Sequence, residues 1–156
     1  MPSRLGARSS LVSLLPCALM TLAAYAPYAA NALQISSGTS SQCINVPWHG
    51  SPVEGTPVRL RACDPWQNQQ WVVSGGHITG VGGLCLGVQG GQPHDGAAVI
   101  YVSCGRTPSQ NWRLVEGQII GIGDKCLAPR GGNLADGTPL IITTCNNALT
   151  QTWAAH

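Results

Sequence analysis

Gln69-Gln70-Trp71, Gln110-Asn111-Trp112 and Gln151-Thr152-Trp153 are the stretches that decide the fold. Each reads Gln-x-Trp, and the interval between them is fixed: 110 − 69 = 41 and 151 − 110 = 41. One Gln-x-Trp carries no information. Three in strict register mark one supersecondary unit built three times.

The cysteines keep the same interval. Six of the seven pair off by repeat: Cys43 and Cys63 are 20 apart, Cys85 and Cys104 are 19 apart, and Cys126 and Cys145 are 19 apart. From the second Cys to the following Gln is 6 residues in every repeat, and from Gln69 to Cys85 and Gln110 to Cys126 is 16. The first repeat therefore carries one extra residue, between Cys43 and Cys63. Repeat symmetry favours the bridges Cys43–Cys63, Cys85–Cys104 and Cys126–Cys145, which require an oxidising compartment. Free thiols or a metal site are the alternatives. A zinc site would want close ligand pairs such as C-x2-C, and the sequence has none. Glu54-Gly55, Asp95-Gly96 and Asp136-Gly137 each stand 9 residues before the second Cys. An acid followed by Gly between apolar runs marks a tight turn, so these acids read as structural and not as three catalytic groups.

Residues 1–32 differ from the rest. Arg4 and Arg8 give a positive start, Leu11 to Ala30 is mostly apolar without charge, and Ala30-Asn31-Ala32 offers small residues before Leu33. This is the pattern of a secretory signal peptide. A transmembrane anchor is the alternative, but Pro16 and Pro27 interrupt a stretch already short for a span. Cys17, the odd cysteine, would leave with the peptide. Pro16 before it, where a small residue is expected, makes a lipoprotein reading weak. The expected mature chain is one domain, 33–156, with repeats of about 33–74, 75–115 and 116–156. Its six cations (Arg59, Arg61, Arg106, Arg113, Lys125, Arg130) balance six acids (Glu54, Asp64, Asp95, Glu116, Asp124, Asp136). No basic stripe suits nucleic acid, and no basic amphipathic helix suits a membrane surface. After signal cleavage no membrane span is expected, and the location is extracellular or periplasmic.

Within each repeat the period is that of a strand. Val58 and Leu60, Val99 and Tyr101, and Leu140 and Ile142 stand 5 and 3 residues before the second Cys. All are apolar and two apart, so each pair shares a face. The intervening Arg59 and Arg61, Ile100 and Val102, and Ile141 and Thr143 form the other face. A unit of this size cannot bury a core alone; three around an axis can do so jointly. A propeller needs about four or more blades, so three all-β units of about 41 residues suit a β-trefoil. Trp71, Trp112 and Trp153 are then expected in the shared core. Gln69, Gln110 and Gln151 are expected to satisfy backbone groups where strands turn.

Cys43-Ile44-Asn45-Val46, Cys85-Leu86-Gly87-Val88 and Cys126-Leu127-Ala128-Pro129 resemble the Cys-Leu-Asp-Val opening of ricin B-type lectin repeats. Glu54 to Val58, Asp95 to Val99 and Asp136 to Leu140 resemble that family's Asp-Gly-x-x-Val turn, and Asn68 to Trp71 its Asn-Gln-x-Trp closing. The resemblance covers the whole mature chain. It implies a β-trefoil with one disulfide per repeat, and binding of carbohydrate, often galactosides or xylan-type polymers. It also implies a shallow sugar site per repeat: an Asp two after the first Cys, an aromatic near the second Cys, an Asn before Gln-x-Trp, and the Gln steadying the Asp.

In the first repeat those positions hold Asn45, Arg61, Asn68 and Gln69. Asn45 keeps an acceptor and gains donors but loses the charge that strengthens such bonds. Arg61 stands where the aromatic is expected. Trp48, in the loop with the extra residue, either supplies the platform or packs against the side of the trefoil; Trp66 carries the same two readings. The second repeat has Gly87, Val102 and Ser109, and the third has Ala128, Thr143 and Thr150. Those sites read as degenerate. The expectation is a secreted lectin or carbohydrate-binding module with one site, in the first repeat. The alternative is a trefoil that has lost sugar binding and serves as a toxin accessory subunit or inhibitor through a protein partner. His49, His77, His94 and His156 are dispersed and form no metal or Ser/His/Asp pattern; neither catalysis nor a metal or cofactor is expected.

Overall fold

The computed structural model describes residues 31–47 and 53–156. Four strands come from each repeat. The first gives β1 (Leu33–Ser37), β2 (Gln42–Asn45), β3 (Arg59–Ala62) and β4 (Gln70–Ser74); the second gives β5 (His77–Thr79), β6 (Leu84–Val88), β7 (Val99–Ser103) and β8 (Arg113–Val115); the third gives β9 (Gln118–Ile120), β10 (Cys126–Pro129), β11 (Leu140–Thr143) and β12 (Trp153–Ala155). The only helical turns among the described residues are short 3-10 segments, including Gln67–Gln69, Pro108–Gln110 and Leu149–Gln151 immediately before the three Trp-bearing strands. No helix is long and apolar enough to cross a membrane among the described residues.

The hairpins β2–β3, β6–β7 and β10–β11 are antiparallel. Each is stapled by the disulfide expected from the spacing: Cys43–Cys63, Cys85–Cys104 and Cys126–Cys145. The remaining strands form the barrel, with β1 paired to both β4 and β12, β4 to β5, and β8 to β9. The pairing Ile35↔Ala155 joins the first described strand to the last. This is a β-trefoil, as the repeat count requires. Its core comes from equivalent positions: Ile35, Ile78 and Ile119 line the barrel, while Val58, Leu60, Val99, Tyr101, Leu140 and Ile142 from the hairpins are fully buried.

The recurring tripeptides explain the joints. Trp71, Trp112 and Trp153 are buried, and each indole Nε1 donates to the carbonyl one residue after the first Cys of its repeat: Ile44 at 3.0 Å, Leu86 at 3.0 Å and Leu127 at 3.1 Å. A buried indole normally satisfies its N–H in this way. Each Gln side chain spans the turn after the second strand of the hairpin. Gln110 Oε1 accepts from Gly105 N at 2.7 Å while its Nε2 donates to Ser103 O at 3.0 Å. Gln69 does the same with Asp64 N and Ala62 O, and Gln151 with Asn146 N and Thr144 O. Gly80 and Gly121 let the rings in: a Cβ there would lie 2.7 Å from Cζ3 of Trp71 and of Trp112 respectively.

The acid-Gly turns clasp neighbouring repeats. Gly55 N donates to Tyr101 O at 2.6 Å, Gly96 N to Ile142 O at 2.9 Å, and Gly137 N to Leu60 O at 2.8 Å, closing a ring of three. The acid beside each Gly reaches the residue before the neighbour's second Cys. Asp136 Oδ1 accepts from Ala62 N at 2.7 Å, Glu54 Oε1 accepts from Ser103 N at 3.1 Å, and Asp95 Oδ2 accepts from Thr144 Oγ1 at 2.9 Å. These carboxylates hold the cap together.

Candidate functional site

The first-repeat cluster sits on the β2–β3 hairpin and the 3-10 turn that follows it. In this pair Cys43 is opposite Arg61, Ile44 opposite Leu60, and Asn45 opposite Arg59. Directly opposed residues share a face. Ile44 and Leu60 therefore turn to the core, while Asn45, Arg59 and Arg61 share the outer face.

The turn Gln67–Gln69 folds over that face. Val46 N donates to Asn68 O at 3.1 Å, and Asn68 Nδ2 donates to Asn45 Oδ1 at 2.7 Å and to Val46 O at 3.2 Å. Gln69 Nε2 lies 3.5 Å from the same Asn45 oxygen. Asn45 Oδ1 is thus fully engaged inside the protein, and Asn45 is only 4% exposed. Gln69 is fully buried. Its Nε2 donates to Ala62 O at 3.0 Å and reaches Asn45 Oδ1 only at 3.5 Å. Asn68 is half-buried. An amide has two N–H donors and one acceptor oxygen. Among the described residues the hydrogens of Asn45 Nδ2 and the Oδ1 of Asn68 have no partner. Such a pair suits a group that both donates and accepts, as a hydroxyl does.

Arg61 is exposed and Arg59 half-buried, with Arg59 Nη1 donating to Gly137 O at 3.1 Å. Trp48 lies outside the described residues, as does the expected signal peptide up to residue 30. Trp66, which the sequence left with two readings, is 67% exposed, two residues before Asn68 in the same turn. Asp64 Oδ1 accepts from Trp66 N at 3.0 Å at the start of this turn.

The other two repeats are closed at the same place. A Cβ on Gly87 would meet Val102 Cγ2 at 2.8 Å and Gln110 Cγ at 3.3 Å, so a side chain there would force Val102 to shift. Ala128 is buried opposite Ile141, which is itself buried. Among the described residues no group of three His, Cys, Asp or Glu could hold a metal ion.

A threefold β-trefoil with a stapled hairpin per repeat and Gln-x-Trp joints defines a lectin-type domain. The chain belongs to the ricin-type β-trefoil lectin domain family, whose model matches residues 31–153. No curated protein matches the sequence. Among solved structures it resembles the designed threefold-symmetric protein ThreeFoil, with 23% identity, TM-score 0.70 and coverage of 80% of this chain and 97% of that one. It also resembles the earthworm R-type lectin C-half solved with GalNAc, with 13% identity, TM-score 0.68 and coverage of 80% and 97%. A third is the Macrolepiota procera ricin B-like lectin solved with lactose, with 20% identity, TM-score 0.65 and coverage of 80% and 93%. At these identities the likeness speaks to fold.

Proposed function

We propose that this protein is a secreted carbohydrate-binding lectin whose working site is the Asn45–Asn68 cluster of the first repeat, the second and third repeats being degenerate. One observation carries the reading: the first repeat keeps an amide pair with donors and an acceptor unpartnered among the described residues, whereas Gly87 and Ala128 lie beside apolar neighbours. Asn68 Nδ2 donates to Asn45 Oδ1, so the pair is preorganised, which lowers the ordering cost of binding. Trp66 and Trp48 are the candidate stacking platforms. GalNAc and lactose, bound in two structural neighbours, are the first ligands to try, followed by xylan-type polymers. Binding without catalysis is the expected activity. A glycan array probed with the protein and with Asn68→Ala tests it. Binding that falls at least about tenfold in the variant, a loss of about 1.4 kcal/mol, supports the site. Unchanged binding moves the site elsewhere, and silence across galactosides and xylans removes the function.

A second reading, a trefoil that contacts a protein, is favoured by the exposed Trp66 and by the lack of the family Asp in all three repeats. Exposed Trp and Arg are typical anchors of protein interfaces. A stoichiometric partner co-purifying with the native protein, and lost in Trp66→Ala, would favour it.

A further inference from the structure

We infer that the first-repeat site selects anionic saccharides, those bearing a carboxylate or a sulfate; this rests on the reading of that cluster as a sugar site. The position that the family fills with Asp is neutral Asn45. The position for the stacking aromatic is Arg61, exposed and on the same outer face, with Arg59 directly opposite Asn45. The expected anion is thus absent, and two cations, Arg59 and Arg61, lie on the same face.

The second repeat shows where the Arg61 position points. Val102, its equivalent, comes within 2.8 Å of the place a Cβ on Gly87 would occupy. Gly87 is the equivalent of Asn45, so the residue two before the second Cys leans across this position. In the first hairpin Arg61 is diagonal to Asn45 on the same face, within reach of a long side chain.

Among the described residues no acid forms an ion pair with either arginine. The ion pairs among the described residues are Arg113–Asp124 and Lys125–Asp95, and neither involves Arg59 or Arg61. Asp136 Oδ1 accepts from Ala62 N, next to Arg61, and Asp64 Oδ1 from Trp66 N; both stay charged, and neither is paired with a guanidinium. Arg59 gives one nitrogen to Gly137 O and keeps the rest of its fork. A guanidinium binds carboxylate or sulfate oxygens through parallel, charge-assisted hydrogen bonds, about twice as strong as neutral ones. A neutral hexose gains none of this, and an Asp at position 45 would have repelled the anion.

Two matched pairs of probes test the inference by calorimetry or surface binding. One is oligogalacturonate against its neutral methyl ester; the other is a sulfated galactan against the same polymer desulfated. The wild type, Arg61→Gln and Asn68→Ala are compared. The expected result is about tenfold tighter binding of at least one anionic probe than its neutral partner. That ratio collapses towards one in Arg61→Gln and weakens as salt rises from about 50 to about 500 mM. The arm that shows the preference identifies the anion. Arg61 is exposed, so its variant keeps the fold, checked by an unchanged melting curve. Equal or better binding of the neutral probes, or a ratio untouched by Arg61→Gln, overturns the inference; if Asn68→Ala still abolishes that binding, the sugar site itself stands. No binding to any of the four probes overturns the inference, while the sugar site stands or falls separately by the glycan array.

Discussion

Gln110 shows how one side chain can serve as a joint. Its amide accepts from Gly105 N and donates to Ser103 O, so it closes the turn from both sides. Gln110→Met keeps the volume and removes both bonds, and a cost of about 1–3 kcal/mol is expected in urea unfolding; an unchanged midpoint would mean that water replaces the amide. Trp112→Ala removes a core indole together with its bond to Leu86 O, with an expected loss of about 3–5 kcal/mol. Gly87 offers the converse test. Restoring the family acid with Gly87→Asp should not create a second sugar site. The new Cβ meets Val102 and Gln110, and destabilisation of about 1–3 kcal/mol is expected without any gain in binding stoichiometry.

At the scale of elements, each hairpin turn belongs as much to its neighbour as to its own repeat. The Lys125 ammonium and then the Thr144 hydroxyl bond to Asp95 and hold its carboxyl below the ordinary value of 3.8. A depressed folded-state value means that the carboxylate form favours the native state. The contribution is complete well above pH 3.8 and is lost as pH falls through the lowered folded value. Asp95→Asn should therefore flatten the acid limb of a stability–pH curve while altering little at high salt, because this pair is exposed and screened. An acid limb identical to wild type would remove Asp95 from the account.

For the whole molecule, three nearly identical loops are closed by the bridges, with separations of 20, 19 and 19 residues. Loop entropy depends weakly on length, so each bridge constrains the unfolded chain about equally, by about 3 kcal/mol. Replacing each cysteine pair by serine in turn should lower stability by similar amounts, read from thermal or denaturant melts. A strong inequality would mean that one hairpin is held mainly by contacts with its neighbours. The ends of the chain carry the same logic. Gln34 and His156 exchange backbone hydrogen bonds at 3.0 Å, so the first and third repeats are sealed by the strands that begin and end the described trefoil.

The threefold architecture was legible in the sequence because periodicity is local bookkeeping: equal spacings of Cys, Gln and Trp bring equal residues to equal places. The bridge pairing, the buried faces of the hairpins and the structural work of Gln69, Gln110 and Gln151 all follow from it. The candidate site was legible only in outline. That Asn45 spends its oxygen on Asn68 and Gln69, that Gln69 is buried beneath the site, and that Trp66 stands open depend on how a 3-10 turn folds over a hairpin. The passage of Asp136 to Ala62 and of Gly55 to Tyr101 joins residues 74 and 46 positions apart, on different repeats. No spacing within a repeat encodes such contacts. They arise only when three units close around one axis.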